Sequence, residues 1–246
     1  MENDLVLYER KDKVAVITLN RAHKRNALSS GIVKGLRKTW IDFESDPSLR
    51  VAILTGNGKA FCAGMDFEDQ NASTVSCIPN YGVEVTKPII GAINGWAIGV
   101  GLTLALACDI KVVAENTSFI FPEAKIGSAL GGVDMLKYMP YAIAMELWLT
   151  GEPLSAKRAY EQGLVNRVVP ASELMSEALK FADMIKDNAP LTMKMLKMSA
   201  ITHTLTAKSA WLLMEAQYIT PQLESKDREE GVRAFKEKRK PVFIGK

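Results

Sequence analysis

Asn94-Gly95-Trp96-Ala97-Ile98-Gly99-Val100-Gly101 decides the reading of this chain, because it leads from a strand-like apolar run through a glycine-bearing turn into Leu102-Thr103-Leu104-Ala105-Leu106-Ala107, a helical pattern. Strand, turn and helix in that order place the turn's backbone N–H groups at a helix N-terminus, where developing negative charge is favoured. A second turn, Phe61-Cys62-Ala63-Gly64-Met65-Asp66, also follows an apolar run. Two such turns are well placed to aim N–H groups at a single ligand oxygen, which is how an oxyanion hole is built. A carbonyl held there is open to conversion into an enolate.

Outward from these turns, Val14–Leu19, Val51–Leu54, Pro88–Ile93 and Ile110–Val113 are short, rich in β-branched residues and bounded by Gly, Asn, Asp or charge. They read as strands separated by helices, an α/β pattern. Ile32, Leu36, Trp40 and Phe43 share one face of a helix predicted over Ile32–Phe43. From Ser155 onward helices dominate: Ala171–Asp187, Leu191–Thr202, Leu205–Ile219 and Asp227–Glu237, with Pro190 and Pro221 at the joints. Met193, Met195 and Met198, beside Leu191 and Leu196, are read as core or subunit contact. The expected division is a core over residues 1–190 and a helical trimerisation or lid region over 191–246.

The 246 residues, 48% hydrophobic, suffice for one large domain. Thirty-one basic and 28 acidic residues leave a net charge of +3, interspersed and too balanced to indicate nucleic acid. Cys62, Cys77 and Cys108 are odd in number and lack metal-ligand spacing, which argues against disulfides and zinc and suits a reducing cytoplasm. No basic stretch opens into an apolar region at Met1-Glu2-Asn3-Asp4, and the apolar runs are interrupted too soon to span a bilayer.

Taken together, Val14-Ala15-Val16-Ile17-Thr18-Leu19-Asn20-Arg21, both glycine turns, Leu149-Thr150-Gly151 and Gly163-Leu164-Val165 resemble the enoyl-CoA hydratase/isomerase, or crotonase, superfamily over nearly the whole chain. The resemblance implies a spiral of ββα units with a C-terminal helical tail, assembled as a homotrimer or as a hexamer of two trimers. It implies an acyl-CoA thioester as substrate, coenzyme A as part of that substrate, and no prosthetic group or metal. By the same resemblance the oxyanion donors are the N–H groups of Met65 and Val100. Similar proteins usually carry glycine at the latter position. A β-branched residue cannot take positive φ cheaply, so Val100 puts both the turn's backbone and the width of the acyl site in question.

Glu123, in Phe119-Ile120-Phe121-Pro122-Glu123-Ala124-Lys125, is the candidate acid/base. Held against Phe119 or Phe121 and away from water, its carboxyl would have its pKa raised toward the operating pH. In enoyl-CoA hydratases the matching glutamate is one of two. The second position here is Thr103, whose hydroxyl can orient water but cannot accept a proton as a carboxylate does. The pattern therefore favours moving a proton between C2 and C4 over two-glutamate hydration. Feruloyl-CoA hydratase-lyases resemble the same arrangement, and a non-catalytic acyl-CoA-binding subunit is the alternative from another class. Relatives with a further carboxylate place it where this chain has Leu130-Gly131-Gly132-Val133; Asp134 is read as the cap of a helix over Met135–Met139.

Arg21-Ala22-His23-Lys24-Arg25-Asn26-Ala27 gathers cations suited to phosphates. The resemblance puts Lys24, Arg25 and Ala27 near the nucleotide and pantetheine, and Ala63, Asp66 and Phe67 in the adenine pocket. Phe235 and Lys238 on the closing helix would cover the nucleotide, of this or a neighbouring subunit. His23 and His203 are read as surface or packing. The stretch between Asp66 and Lys87 suggests a loop where relatives carry helices that roof the acyl pocket, which either opens the site to a bulky acyl group or leaves it mobile until ligand binds.

Overall fold

The computed structural model describes residues 5–69, 73–128, 133–205, 226–239 and 241–242. A hairpin begins the chain: β1 (Val6–Lys11) and β2 (Val14–Leu19) pair antiparallel from Val6 opposite Leu19 to Lys11 opposite Val14. After it, strands come in consecutive pairs, β3 (Val51–Gly56) with β4 (Ala60–Cys62), β5 (Ile89–Ile93) with β6 (Trp96–Ile98), and β7 (Ile110–Ala114) with β8 (Ser118–Ile120). The first strand of each pair enters a six-stranded sheet ordered β1-β2-β3-β5-β7-β10, and the second enters a four-stranded sheet ordered β4-β6-β8-β9. Here β9 is Leu154–Ser155 and β10 is Arg167–Val169. From β2 to β10 the large sheet is parallel, as are β4, β6 and β8. This repeated step is the expected ββα spiral.

Helix α1 (Ser30–Ser45) is wider than the predicted Ile32–Phe43 because Ser29 caps it, its side chain accepting the Ile32 N–H. Its predicted apolar face holds: Ile32, Leu36, Trp40 and Phe43 are fully buried. Helix α2 (Val100–Leu106) follows β6 directly. Strand β3 is buried along its full length, with Leu54 and Ala52 in the core beneath α1 and Val51 and Ile53 in a second core under α5 (Leu174–Lys186). A parallel strand covered on both faces has an unbroken apolar run for that reason.

Helix α6 (Pro190–Leu205) begins at Pro190 itself, the position where a missing N–H costs nothing. Its Leu191, Met195 and Leu196 are exposed in the single chain, so they are not core. Lys197 docks the helix, with Nζ 2.8 Å from the Asp109 carboxylate and 2.9 Å from the Lys87 carbonyl. The predicted helix over Leu205–Ile219 lies outside the described residues apart from Leu205, which ends α6. The closing helix, predicted over Asp227–Glu237, is Lys226–Lys236 and is named α7 here because α3 (Tyr141–Thr150) and α4 (Ala156–Glu161) precede α5. In place of a helix over Met135–Met139 there is a short 3-10 turn, Val133–Lys137, and Asp134 sits inside it, not ahead of it as a cap.

The described part of the stretch between Asp66 and Lys87 is packed against α1. Thr74–Cys77 form a 3-10 turn, Trp40 Nε1 donates to the Cys77 carbonyl at 3.1 Å, and Arg37 donates to the carbonyls of Ser76 and Gly82. Buried Cys77, Ile78, Val83 and Val85 supply apolar anchorage that the loop-like composition hides. Among the described residues no helix is long and apolar enough to cross a membrane.

Candidate active site

Strand β6 delivers the chain into Gly99, whose φ of 54° and ψ of −122° are open only to glycine at low cost. Val100 then takes the first helical position of α2 with an ordinary negative φ. The conformational demand therefore falls on Gly99 alone, and the isopropyl group of Val100 is tolerated, half-buried against the core. The Met65 turn lies alongside: a Cβ built on Gly64 would stand 2.7 Å from the Ile98 carbonyl oxygen and 3.9 Å from the Val100 nitrogen. Gly64 and Asp66 bond to Leu28 on either side of Met65, through Leu28 N to Gly64 O at 2.8 Å and Asp66 N to Leu28 O. The N–H groups of Met65 and Val100 have no acceptor among the described residues.

Glu123 opens the 3-10 turn Glu123–Ile126 after β8 and Pro122. Gly99 makes room for it, since a Cβ at Gly99 would stand 2.5 Å from Glu123 Oε1. Glu123 is 8% exposed, and its Oε2 is buried with no hydrogen-bond partner. Desolvation pushes its pKa up to about 8, only partly offset by a hydrogen bond from its own backbone N–H. The turn is held from outside by Lys125, which bonds to the Gly151 carbonyl at 3.2 Å and to Glu152 at 2.9 Å. Thr103, also buried, sends its hydroxyl back along α2 toward the Gly99 carbonyl, at a long 3.5 Å. Gly99 is thus the point at which Glu123, Thr103 and the Val100 amide converge.

Within the cationic segment Arg21 is committed inside the fold, whereas His23, Lys24 and Arg25 stay exposed. Arg21 pairs with the buried Asp66 carboxylate at 2.5 Å and also donates to the Ala27 carbonyl at 3.2 Å. Desolvation raises the pKa of Asp66, but the Glu68 N–H and Arg21 outweigh it and hold that carboxyl below its usual range. Lys24 pairs with Glu68 at 2.8 Å. Arg25 is exposed, in the left-handed region, with its guanidinium 4.9 Å from the centre of the Trp96 ring. Ala63 N donates to the Arg25 carbonyl at 3.0 Å, so the Lys24–Ala27 loop and the Met65 turn are one unit. Phe67 meets Phe235 of α7 in the same chain, ring centroids 4.9 Å apart, and Lys238 follows with a positive φ of 55°. His23 is exposed; the side chain of His203 lies outside the described residues.

Arg21, Asn26 and Trp96 were not singled out individually by sequence. Asn26 is fully buried with φ of 57°; its amide donates to Asn57 and Ala60 carbonyls, and its Oδ1 accepts the Arg21 N–H at 2.9 Å. The available signal was Asn in a loop needing the left-handed region. The thiols of Cys62, Cys77 and Cys108 are buried and unpaired, and burial pushes each up to about 12, which removes them as nucleophiles at neutral pH. Among the described residues no group of three or more His, Cys, Asp or Glu is gathered as metal ligands.

A spiral of ββα units that sets a buried carboxyl and the Val100 amide at Gly99, with the Met65 turn alongside, suits an acyl-thioester enzyme. The family model for enoyl-CoA hydratase/isomerase matches residues 9–246. The chain is 36% identical to (E)-benzylidenesuccinyl-CoA hydratase of Thauera aromatica, covering 98% of this chain and 99% of the relative. It is 38% identical to carnitinyl-CoA dehydratase of Proteus mirabilis, covering 96% and 97%. A solved carnitinyl-CoA dehydratase from Mycobacterium avium 104 superposes with a TM-score of 0.87 at 36% identity, over 99% of this chain and all (100%) of that one. The chain belongs to the enoyl-CoA hydratase/isomerase family and is an acyl-CoA enzyme of the hydratase and lyase type.

Proposed function

We propose that this enzyme reversibly adds water across the double bond of a 2-enoyl-CoA, with Glu123 as the single acid/base group and the Met65 and Val100 N–H groups as the oxyanion hole. The observation that carries the reading is the buried, singly satisfied Glu123 carboxyl beside the Gly99–Val100 turn. With its pKa near 8 the group is mostly protonated at neutral pH and ready to donate. As water attacks C3, charge moves to the thioester oxygen, where two preset donors oppose it; one such donor typically contributes about 3–4 kcal/mol. One carboxyl oxygen gives its proton to C2 while the other takes a proton from the attacking water. The water is thus added as H and OH, and Glu123 ends as it began. Thr103 orients the water by hydrogen bonding.

Isomerisation of a 3-enoyl-CoA is the second reading, favoured by the hydroxyl at Thr103 where a second carboxylate would serve hydration. A feruloyl-CoA-type hydratase-lyase is a variant of the first. Incubation with trans-2-butenoyl-CoA and trans-3-hexenoyl-CoA separates them: a gain of one water on the former supports hydration, and conjugation of the latter without mass change supports isomerisation. Tight binding with neither reaction, on a broad thioester panel, would leave a non-catalytic acyl-CoA-binding subunit.

The relatives' substrates, a benzylidenesuccinyl and a carnitinyl thioester, are polar or aromatic acyl groups, and an acyl group of that kind is our expectation here. We read Lys24, Arg25 and Ala27 as neighbours of the nucleotide and pantetheine, Ala63, Asp66 and Phe67 as the adenine pocket, and Phe235 and Lys238 as covering the nucleotide of this or a neighbouring subunit. The exposed Leu191, Met195 and Leu196 face of α6, in the 191–246 region, supports a homotrimer or paired trimers. Three unpaired thiols support a cytoplasmic setting.

A further inference from the structure

Helix α7 touches both halves of the site. Phe235 lies on Phe67, two residues beyond Met65, with ring centroids 4.9 Å apart. One turn earlier Gly231 is buried against the Glu123–Ile126 turn, where a Cβ would stand 2.0 Å from the Ile126 carbonyl oxygen, 2.4 Å from its carbon and 2.9 Å from Cα. The contact is backbone on backbone, so no side chain can swing aside. Ala234, three residues on and facing the same way, is fully buried. The helix is braced beyond this point by Glu230, whose carboxylate accepts from Arg233 and Arg239 and takes the Val242 N–H at 3.0 Å.

We propose that Gly231 is a positioning residue: by letting α7 lie directly on the Ile126 carbonyl, it sets where the Glu123 carboxyl stands relative to the Met65 and Val100 amides. The inference rests on Glu123 being the acid/base group. Glu123 and Ile126 are the two ends of one 3-10 turn, and Ser128 N closes it on the Glu123 carbonyl at 2.9 Å. Displacing Ile126 therefore displaces Glu123. The same helix carries Phe235, so the element expected to cover the nucleotide is also the one that seats the acid/base turn.

A methyl at position 231 must open the contact by about 1 Å or more, and a misplacement of that size in a reacting group can cost up to about 100-fold in rate. If Gly231 were only a gap in an exposed helix, Gly231→Ala would raise helix propensity and leave the chemistry alone. The test is deuterium incorporation at C2 of butanoyl-CoA in D2O, which reads proton transfer at C2 whether the enzyme hydrates or isomerises. It is repeated with butanoyl-pantetheine, which lacks the nucleotide.

Gly231→Ala is expected to slow exchange between about tenfold and 100-fold, by the same factor on both thioesters. Glu230→Gln, which loosens the helix end without a new methyl, is expected to act in the same direction to a smaller degree and serves if Gly231→Ala does not fold. Wild-type exchange in whichever of these variants folds, or a loss confined to the nucleotide-bearing thioester, overturns the assignment. Glu123→Gln is run alongside: exchange retained there sinks the acid/base reading itself, whereas exchange lost there and kept in the Gly231 and Glu230 variants sinks only the positioning role.

Discussion

Glu123→Gln should make the protein a much poorer catalyst and, above neutral pH, a more stable one. The folded carboxyl holds its proton up to about 8, against 4.5 when solvated. Between those two values the unfolded chain has released a proton that the folded chain keeps, so wild-type stability falls as pH rises through the window. Below about 4.5 the group is neutral in both states and contributes no slope. A difference of roughly 3.5 units, at about 1.4 kcal/mol per unit, amounts to about 5 kcal/mol across the window. Glutamine does not titrate, so the variant lacks this slope. Its buried amide carries a pH-independent cost of about 1–3 kcal/mol for whatever hydrogen bond it leaves unmade. The stability curves should therefore cross between about pH 5 and 7, with the variant ahead by about 2–4 kcal/mol above pH 8. Urea unfolding at fixed chain concentration from pH 4 to 9 measures both curves, and turnover should fall by about 100-fold or more. Parallel stability curves would refute the claim that Glu123 is buried as a neutral acid.

Gly99→Ala should be more damaging than its size suggests, since it combines a backbone conformation open cheaply only to glycine, costing about 1–3 kcal/mol, with a methyl 2.5 Å from Glu123 Oε1; turnover should drop about 100-fold, and activity near wild type would show that the carboxyl stands elsewhere when substrate binds. Arg21→Met leaves Asp66 buried and unpaired, at a cost of about 2–4 kcal/mol in unfolding free energy at pH 7. Because the Asp66 pKa is lowered in the folded state, that margin over the variant should shrink as pH falls below about 4, and a margin that stays constant on acidification would argue against the ion pair.

Much of the fold was legible because its signals are local. Val51–Leu54 is a short β-branched apolar run that declares a strand, and the Ile32, Leu36, Trp40 and Phe43 spacing declares α1. The three-residue strands β4, β6 and β8 are too short for any period to show, so the resemblance supplied a spiral of ββα units and the structure supplied their pairing into a second sheet. The tail was legible as helix but not as to what each helix covers: Leu191, Met195 and Leu196 have helical spacing whether they meet a core, another subunit or solvent.

At the site, sequence by itself determined the chemistry available: one carboxylic acid after an apolar strand, two glycine turns, a hydroxyl at position 103, and no pattern of metal ligands. Only tertiary structure decided how these groups meet, because the Met65 turn, the Gly99 turn leading into Thr103, and Glu123 follow three different strands and their separation is set by how β4, β6 and β8 pair. It moved the conformational burden from Val100 to Gly99, turned Arg21 inward to Asp66 while Lys24 pairs with Glu68 at the surface, and laid α7 across Ile126. Those outcomes depend on distances between residues far apart in the chain, and a one-dimensional pattern records periodicity, not distance.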